Sequence, residues 1–347
     1  MLSSYRADLK LAIIGLGNAG ATFVQGVDYY SNDKHIAGLW HEKVAGLKAA
    51  NIKIVAAYDI NPAKVGRDLS QVATGTIRKY HAVRDTRVNV KAGILYDNDY
   101  SGFDSASTVS FDQFTEDLRK SGAHVALNLI SSGLERTSIE YAKAALQAHV
   151  SFVNATPTKV ANDPKLASKF AQRKLVLAGD DLLSQFGGTA FHKGMIDFMI
   201  ERGVHVKKSY QLDVGGSAET KKTMDARIRM TKRSMKASSI SIEAPYKFES
   251  VAGTTEYTDF LDDSRNSYYW MASEGFLGSN IVMDITLRTS DGPNAGNVLL
   301  DIARAIGGGK RTRTGIATEV ISAYGFKNPP KKYKIRDAYT NFIKMFC

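Results

Sequence analysis

Two lysines four residues apart, Lys232 and Lys236, are well suited to handling a phosphate. On a helix, residues at that spacing share a face, so both ammonium groups converge on one anion. Each would lower the other's pKa, bringing an amine closer to proton exchange near neutrality. Spacing alone favours a solvated basic face instead, since Arg227, Arg229 and Arg233 stand beside them. A second group is Gly179-Asp180-Asp181, two adjacent carboxylates after the apolar run LVLA. Acids at the end of a parallel strand face a binding crevice. The other reading makes Asp181 the N-cap of a following helix.

The third group is Gly15-Leu16-Gly17-Asn18-Ala19-Gly20, between the apolar run LAII and a helical pattern. Glycines at this spacing let a pyrophosphate approach the backbone at a helix N-terminus, where free N–H groups and the dipole favour negative charge. Asp59 ends the next apolar run, IKIVAAYD, where an acid takes ribose hydroxyls and repels a 2′-phosphate, which selects NAD over NADP. It stands further along than the usual spacing of about 20 residues, and a polar insertion at 31–50 accounts for the excess. Asp33 has the nearer spacing but follows no strand. Asn128, Ser131, Ser132 and Thr156 follow later apolar runs and border the same crevice if the sheet is doubly wound; plain strand termination is the alternative.

These residues need strands and helices in alternation. Apolar runs at 11–14, 52–59, 124–130, 150–155 and 175–179 read as buried parallel strands, with helices over about 18–30, 111–121, 135–148 and 163–173. Asn61-Pro62 predicts a further helix with proline in its first turn. From about 182 the texture changes. One helix is expected at 187–203 and a basic one at 218–237. VHVKKSYQLDVGG (204–216) and NIVMDITLRT (280–289) alternate like strands of a sheet with one wet face. A last helix is expected at 292–306. The fold class is therefore α/β: a Rossmann-like, doubly wound parallel sheet with an inserted α+β domain carrying an open mixed sheet. The boundaries read are 1–182, 183–289, and 290–347 for the return to the first domain.

Composition narrows the partners. With 347 residues, 44% hydrophobic and 23% charged, the chain is globular rather than disordered or fibrous. Its one cysteine, Cys347, excludes a disulfide scaffold and a multi-cysteine metal site, and the seven histidines form no i, i+4 pair, so no metal is assigned. His192 is read as a structural histidine. No run approaches the roughly 18 apolar residues of a membrane span, and MLSSYRADLK lacks an apolar h-region, so a cytoplasmic protein is expected. The net charge of +11 suits an anionic partner. Residues 201–240 carry ten Lys/Arg against four Asp/Glu, and 304–336 carry nine against one. Without a nucleic-acid motif, this points to a phosphorylated small molecule rather than to nucleic acid.

The order of motifs resembles the myo-inositol-1-phosphate synthase family in its shorter prokaryotic form. The likeness rests on GLGNAGATFVQGVDYY (15–30), AAYDINPAKVGRDLS (56–70), FVNATPTKVANDPKLASKF (152–170), LAGDDLLSQFGGT (177–189), LDVGG (212–216), TKRSMK (231–236) and SDGPNAG (290–296). It implies NAD-dependent isomerisation of glucose 6-phosphate to 1D-myo-inositol 3-phosphate, by oxidation at C5, enolisation, aldol closure of C6 onto C1, and reduction. It implies a homotetramer built through the inserted domain and a place in inositol and phospholipid biosynthesis. Any metal or monovalent cation is left undefined. By motif, Lys232 and Lys236 are the active-site lysine pair, and Asp181 and Asp291 match conserved acids. Four positions depart from the family: Leu183 and Arg265 replace lysines, Ser217 replaces an asparagine with Glu219 as the nearby acid, and a helix lysine is lost at Gly307 unless Lys310 replaces it. The alternative consistent with these changes is an NAD-dependent oxidoreductase of another sugar phosphate or cyclitol, or an NAD-binding homologue without the full cycle.

Overall fold

The computed structural model describes residues 8–32, 35–75, 79–97, 105–308 and 315–347. Asp33 and Lys310 lie outside them. The first half alternates as its apolar runs require: β1 (Leu9–Ile14), α1 (Asn18–Tyr29), β2 (Ile52–Asp59), α2 (Leu69–Gly75), β3 (Val90–Ala92), α3 (Phe111–Ser121), β4 (Val125–Asn128), α4 (Glu135–Ala148), β5 (Ser151–Asn154), α5 (Pro164–Gln172) and β6 (Leu177–Ala178). The strands form one parallel sheet in the order β3-β2-β1-β4-β5-β6. This order reverses beside β1, the position where doubly wound sheets open a ligand crevice at their carboxyl ends. Successive side chains of β1 serve opposite faces: Leu11 and Ile13 pack with Phe23 and Val24 of α1, while Ala12 and Ile14 pack with Phe114 of α3 and Tyr141 of α4.

Helix starts follow local chemistry. Ser110 caps α3 by accepting from the Gln113 N–H, and Asp163 caps α5 with Pro164 in its first turn. The helix expected at Asn61-Pro62 does not form. Residues 62–66 are turns, Gly66 takes φ +85° and donates its N–H to the Val90 carbonyl, and α2 begins only at Leu69. A positive φ stops helical propagation, and glycine adopts it without strain.

After β6 the chain enters a second layer: α6 (Gly188–Glu201), β7 (His205–Gly215), α7 (Ala218–Lys222), α8 (Ala226–Ile240), β8 (Glu249–Tyr257), β9 (Ser264–Glu274) and β10 (Asn280–Ser290). The basic helix read at 218–237 is thus two helices. Asp225 breaks it by accepting the Arg227 and Ile228 N–H groups as N-cap of α8. The strands form a mixed sheet, β10-β9-β7-β8, with β7 and β8 parallel and the other pairs antiparallel. Its inner face, with Tyr269 and Met271, packs on Ile196 and Met199 of α6. Its outer face is open: Tyr210 stacks on Trp270 at 5.5 Å, and Leu212, Val251 and Val282 are exposed.

The chain then returns. In α9 (Asp291–Gly307), Val298, Leu299 and Ile302 join the core containing Phe23, and α10 (Gly315–Gly325) and α11 (Ile335–Phe346) cover the same side. Among the described residues, no helix is long and apolar enough to cross a membrane.

Candidate active site

At the carboxyl end of β1 the glycine turn is shaped by close approaches. Gly15 takes φ +91°, and a Cβ there would lie 2.9 Å from the Leu129 and Ile130 backbone. A Cβ on Gly20 would lie 2.4 Å from the Gly15 carbonyl, so Gly20 lets α1 close onto the turn. The space beside Gly17 is open, and Gly17 caps α1 without a side-chain bond, leaving first-turn N–H groups free for an anion. Asp59 is aimed by two backbone donors: Oδ2 accepts the Leu16 N–H at 2.9 Å and Oδ1 the Asn61 N–H at 2.8 Å. Lys64 stands 3.6 Å from the same carboxylate. Gly15, Gly17, Asn18, Asp59, Ser131 and Ser132 line a crevice of 1420 Å³. An open phosphate-sized cradle at a helix N-terminus, with an acid at the end of the next strand, fits a dinucleotide.

A smaller pocket of 290 Å³ adjoins it, sharing Gly17, Asn18, Ser131 and Ser132. Lys232, Lys236, Arg265 and Lys327 meet there with Asp181, Asp213, Glu219, Asp263 and Asp291. Each cation has a carboxylate. Lys232 pairs with Glu219, which also accepts from the Ser132 N–H and hydroxyl. Lys236 Nζ lies 2.6 Å from Asp213. Arg265 grips Asp291 through Nε and Nη2, at 2.8 and 2.6 Å. Lys327 Nζ lies 2.8 Å from Asp181. The fifth acid, Asp263, accepts instead from Asn18 Nδ2 at 2.8 Å and the Gly292 N–H at 3.1 Å.

Burial and partners set the charges. Burial alone would raise the Asp213 carboxyl, but Lys236 and Arg265 outweigh it and hold the pKa well below the usual range. Glu219 behaves likewise under Lys232. Burial lowers Lys236, with Arg265 and Lys327 adding to the effect and Asp213 opposing it. Burial pushes Asp263 up to about 6. The carboxylates hold Arg265 above its already high value despite burial. Among the described residues, no group of three or more His, Cys, Asp or Glu is placed to hold a metal ion.

Of the residues singled out in the sequence, Gly17, Asn18, Ala19, Ser131, Ser132, Thr156, Asp181, Lys232, Lys236, Arg265 and Asp291 line the inner pocket. Asp180 and Asn128 do not reach either cavity. Asp180 is fully buried and accepts from Asn154 Nδ2 and the N–H groups of Val160, Ala161 and Asn162. Beyond β6 the chain turns at Asp181, which takes φ +61°, and of the acid pair only Asp181 faces the pocket. The capping role weighed for Asp181 is absent: α6 starts at Gly188 and is capped by Gly187. Asn128 lies under the crevice, donating to Asn154 Oδ1 at 3.0 Å. Leu183 lines the pocket as an apolar wall. Gly307 lies elsewhere, against Leu9, so its missing side chain takes no cation from the site.

Lys327, Asp213 and Asp263 were not singled out from the sequence. Lys327 stands in the basic stretch at 304–336, where charge counting sees only a solvated face. It reaches the pocket because residues 325–328 run beside 180–183, with the Lys327 N–H donating to the Asp181 carbonyl at 2.7 Å and the Leu183 N–H to that of Gly325 at 2.8 Å.

Sequence and structure comparisons place the chain among known proteins. The myo-inositol-1-phosphate synthase family profile matches residues 187–292. Inositol-3-phosphate synthase of Mycolicibacterium smegmatis is 30% identical over 95% of this chain and 96% of its own length. That of Corynebacterium glutamicum is 30% identical over 93% of this chain and 94% of its own. The crystal structure of a myo-inositol-1-phosphate synthase-related protein from Thermotoga maritima shares the fold, with a TM-score of 0.77 at 20% identity over 96% of this chain and 97% of that one.

Proposed function

The chain belongs to the myo-inositol-1-phosphate synthase family, and on that premise we propose that it isomerises glucose 6-phosphate to 1D-myo-inositol 3-phosphate with NAD as a recycled redox partner. The observation that carries this reading is the inner pocket of four cations opening directly onto the glycine turn. When bound, NAD supplies a hydride acceptor that later returns the hydride, so that no net redox change accompanies ring closure.

The chain's own groups divide the work. N–H groups at Gly17, Asn18 and Ala19 take the pyrophosphate, Gly15 and Gly20 shape the turn, and Asp59 takes ribose hydroxyls. Ser131, Ser132 and Thr156 border the passage to the inner pocket, with Asn128 and Asp180 holding their loops from beneath. Lys232, Lys236, Arg265 and Lys327 bind the phosphate and stabilise negative charge on substrate oxygens as C6 joins C1. Lys236 Nζ holds a proton against the developing oxyanion. Arg265 keeps its charge at any working pH, so it clamps rather than shuttles a proton. Asp181 and Asp291 orient Lys327 and Arg265. The open face of the second sheet, with Leu212, Val251 and Val282 exposed, carries assembly into a homotetramer, which light scattering on the purified protein tests. The cell compartment is the cytoplasm, where the soluble sugar phosphate and NAD occur together.

Incubation of the protein with NAD and carbon-13 glucose 6-phosphate, followed by NMR, tests the reaction. A cyclitol phosphate without net NADH is expected. Net NADH would favour an oxidoreductase, a reading that Leu183 in the pocket wall supports. Unchanged substrate overturns both for this sugar.

A further inference from the structure

We infer that Asp213 is a positioning residue of this site: its carboxylate fixes Lys236, keeps the Lys236 amine charged, and ties it to Arg265. The inference deepens the proposed function, since it names what makes Lys236 fit for its task.

Asp213 sits on β7, an interior strand of the mixed sheet, with its Cα opposite Ser267 of β9 and Thr254 of β8. Both oxygens are engaged. Oδ1 accepts from Ser267 Oγ at 2.7 Å and Gln211 Nε2 at 2.8 Å. Oδ2 accepts from Lys236 Nζ at 2.6 Å and Gln211 Nε2 at 3.0 Å, with Arg265 Nη1 at 3.6 Å. Gln211 reaches this carboxylate because residue 188 is glycine: a Cβ there would stand 2.2 Å from its Nε2. An interior strand and a filled oxygen set leave this carboxylate one orientation, which is what a preorganised site needs.

The purely structural reading is that Asp213 ties β7 to β9. The antiparallel backbone pairing of β7 with β9, from His205 opposite Glu274 to Gly215 opposite Arg265, already supplies that tie. A buried carboxylate is costly unless it serves a cation. The charged groups around it make the difference. Arg265 from β9 and Lys327 from the segment after α10 both disfavour a charged Lys236, and burial does so more strongly. His192 of α6 and Tyr269 of β9 also face Asp213, and burial holds the first neutral and the second protonated. Asp291 of α9 is spent on Arg265, and Glu219 of α7 on Lys232 of α8. The Asp213 carboxylate is therefore the group that holds the proton on Lys236.

The test uses the full chain and Asp213→Asn, which keeps shape and removes charge. Carbon-13 lysine NMR, with the Lys236 signal assigned by Lys236→Met, reads the amine directly and does not depend on turnover. The expected result is a Lys236 pKa lower by about one unit or more in Asp213→Asn. The alkaline limb of kcat/KM should move to lower pH by a similar amount. Ser267→Ala, which removes a hydrogen bond but no charge, should leave both in place. An unshifted Lys236 and pH profile in Asp213→Asn would reduce Asp213 to a strand tie. If that variant fails to fold, the unmodified protein still decides: a Lys236 amine already neutral at pH 7 overturns the inference. Absence of any cyclitol product beside a shifted Lys236 would instead defeat the proposed reaction and leave the role of Asp213 standing.

Discussion

The crevice at the glycine turn and the pocket beside it meet along Gly17, Asn18, Ser131 and Ser132, yet they are built on opposite principles. At the turn the backbone does the recognising: N–H groups of one helix end, glycines that bring it close, and an acid aimed by two further N–H groups. In the pocket the side chains do it, drawn from the loop after β6, from β7, α7, α8, β9 and α9, and from beyond α10, and held apart as ion pairs. A backbone site tolerates changes of charge but not of shape. An ion-paired site tolerates changes of shape but not of charge.

The largest break of that contrast should come from Lys236→Met. Turnover is expected to fall by about 10²–10³-fold, while NAD affinity, read by calorimetry, stays as in the unmodified protein. Loss of NAD binding would show that the two sites are one.

A second effect comes from beneath the pocket. His192 is wholly buried, and burial lowers its pKa to about 4. The folded state takes up this proton less readily than the unfolded chain. The stability it permits is therefore complete above about pH 6.5 and lost as pH falls toward 4. By pH 5 the protein should have lost on the order of 2 kcal/mol that His192→Gln retains. Denaturant unfolding at pH 7 and pH 5 reads the difference, and parallel losses in both proteins would move the cause to another group.

Gly17→Ala sharpens the comparison from the other side. The added methyl meets open space, so thermal stability should hold while NAD affinity drops about tenfold through lost backbone approach. A change in melting temperature with affinity intact would reverse that assignment. Asp59→Asn should be smaller, weakening NAD binding by about 1 kcal/mol, and a gain in NADP binding would show the acid acting as a filter.

The same contrast explains what could be read before the structure. Gly15, Gly17 and Gly20 lie within one turn, and Asp59 ends a strand whose bounds, 52–59, are legible from its apolar run. Local spacing carries that information. Lys232 and Lys236 share a helix face and could be paired with each other on paper. Their actual partners, Glu219 and Asp213, are 13 and 23 residues away and come from other elements. Lys327 lies 146 residues from Asp181, and no period or motif links them. The Asn61-Pro62 helix failed because a positive φ at Gly66 is set by its bond to Val90, a contact that propensity cannot see. Adjacency in sequence joins Asp180 and Asp181 as one acid pair at a strand end, and only the direction of each side chain separates a loop organiser from a pocket acid.

The return of α9 to the first sheet bears on how the molecule is made. Phe23 and Val24 share their core with Val298, Leu299, Ile302 and Phe342, so the cover that α1 gives one apolar side of the parallel sheet stays incomplete until the last part of the chain exists. At about 5–20 residues per second, that side waits roughly 15–60 s on the ribosome after α1 has emerged. During that interval the nascent chain presents an unsealed greasy surface while the mixed sheet is still being extruded. Synthesis of this protein should therefore lean on holdase chaperones, and truncations before residue 306 should aggregate rather than yield a free-standing nucleotide module.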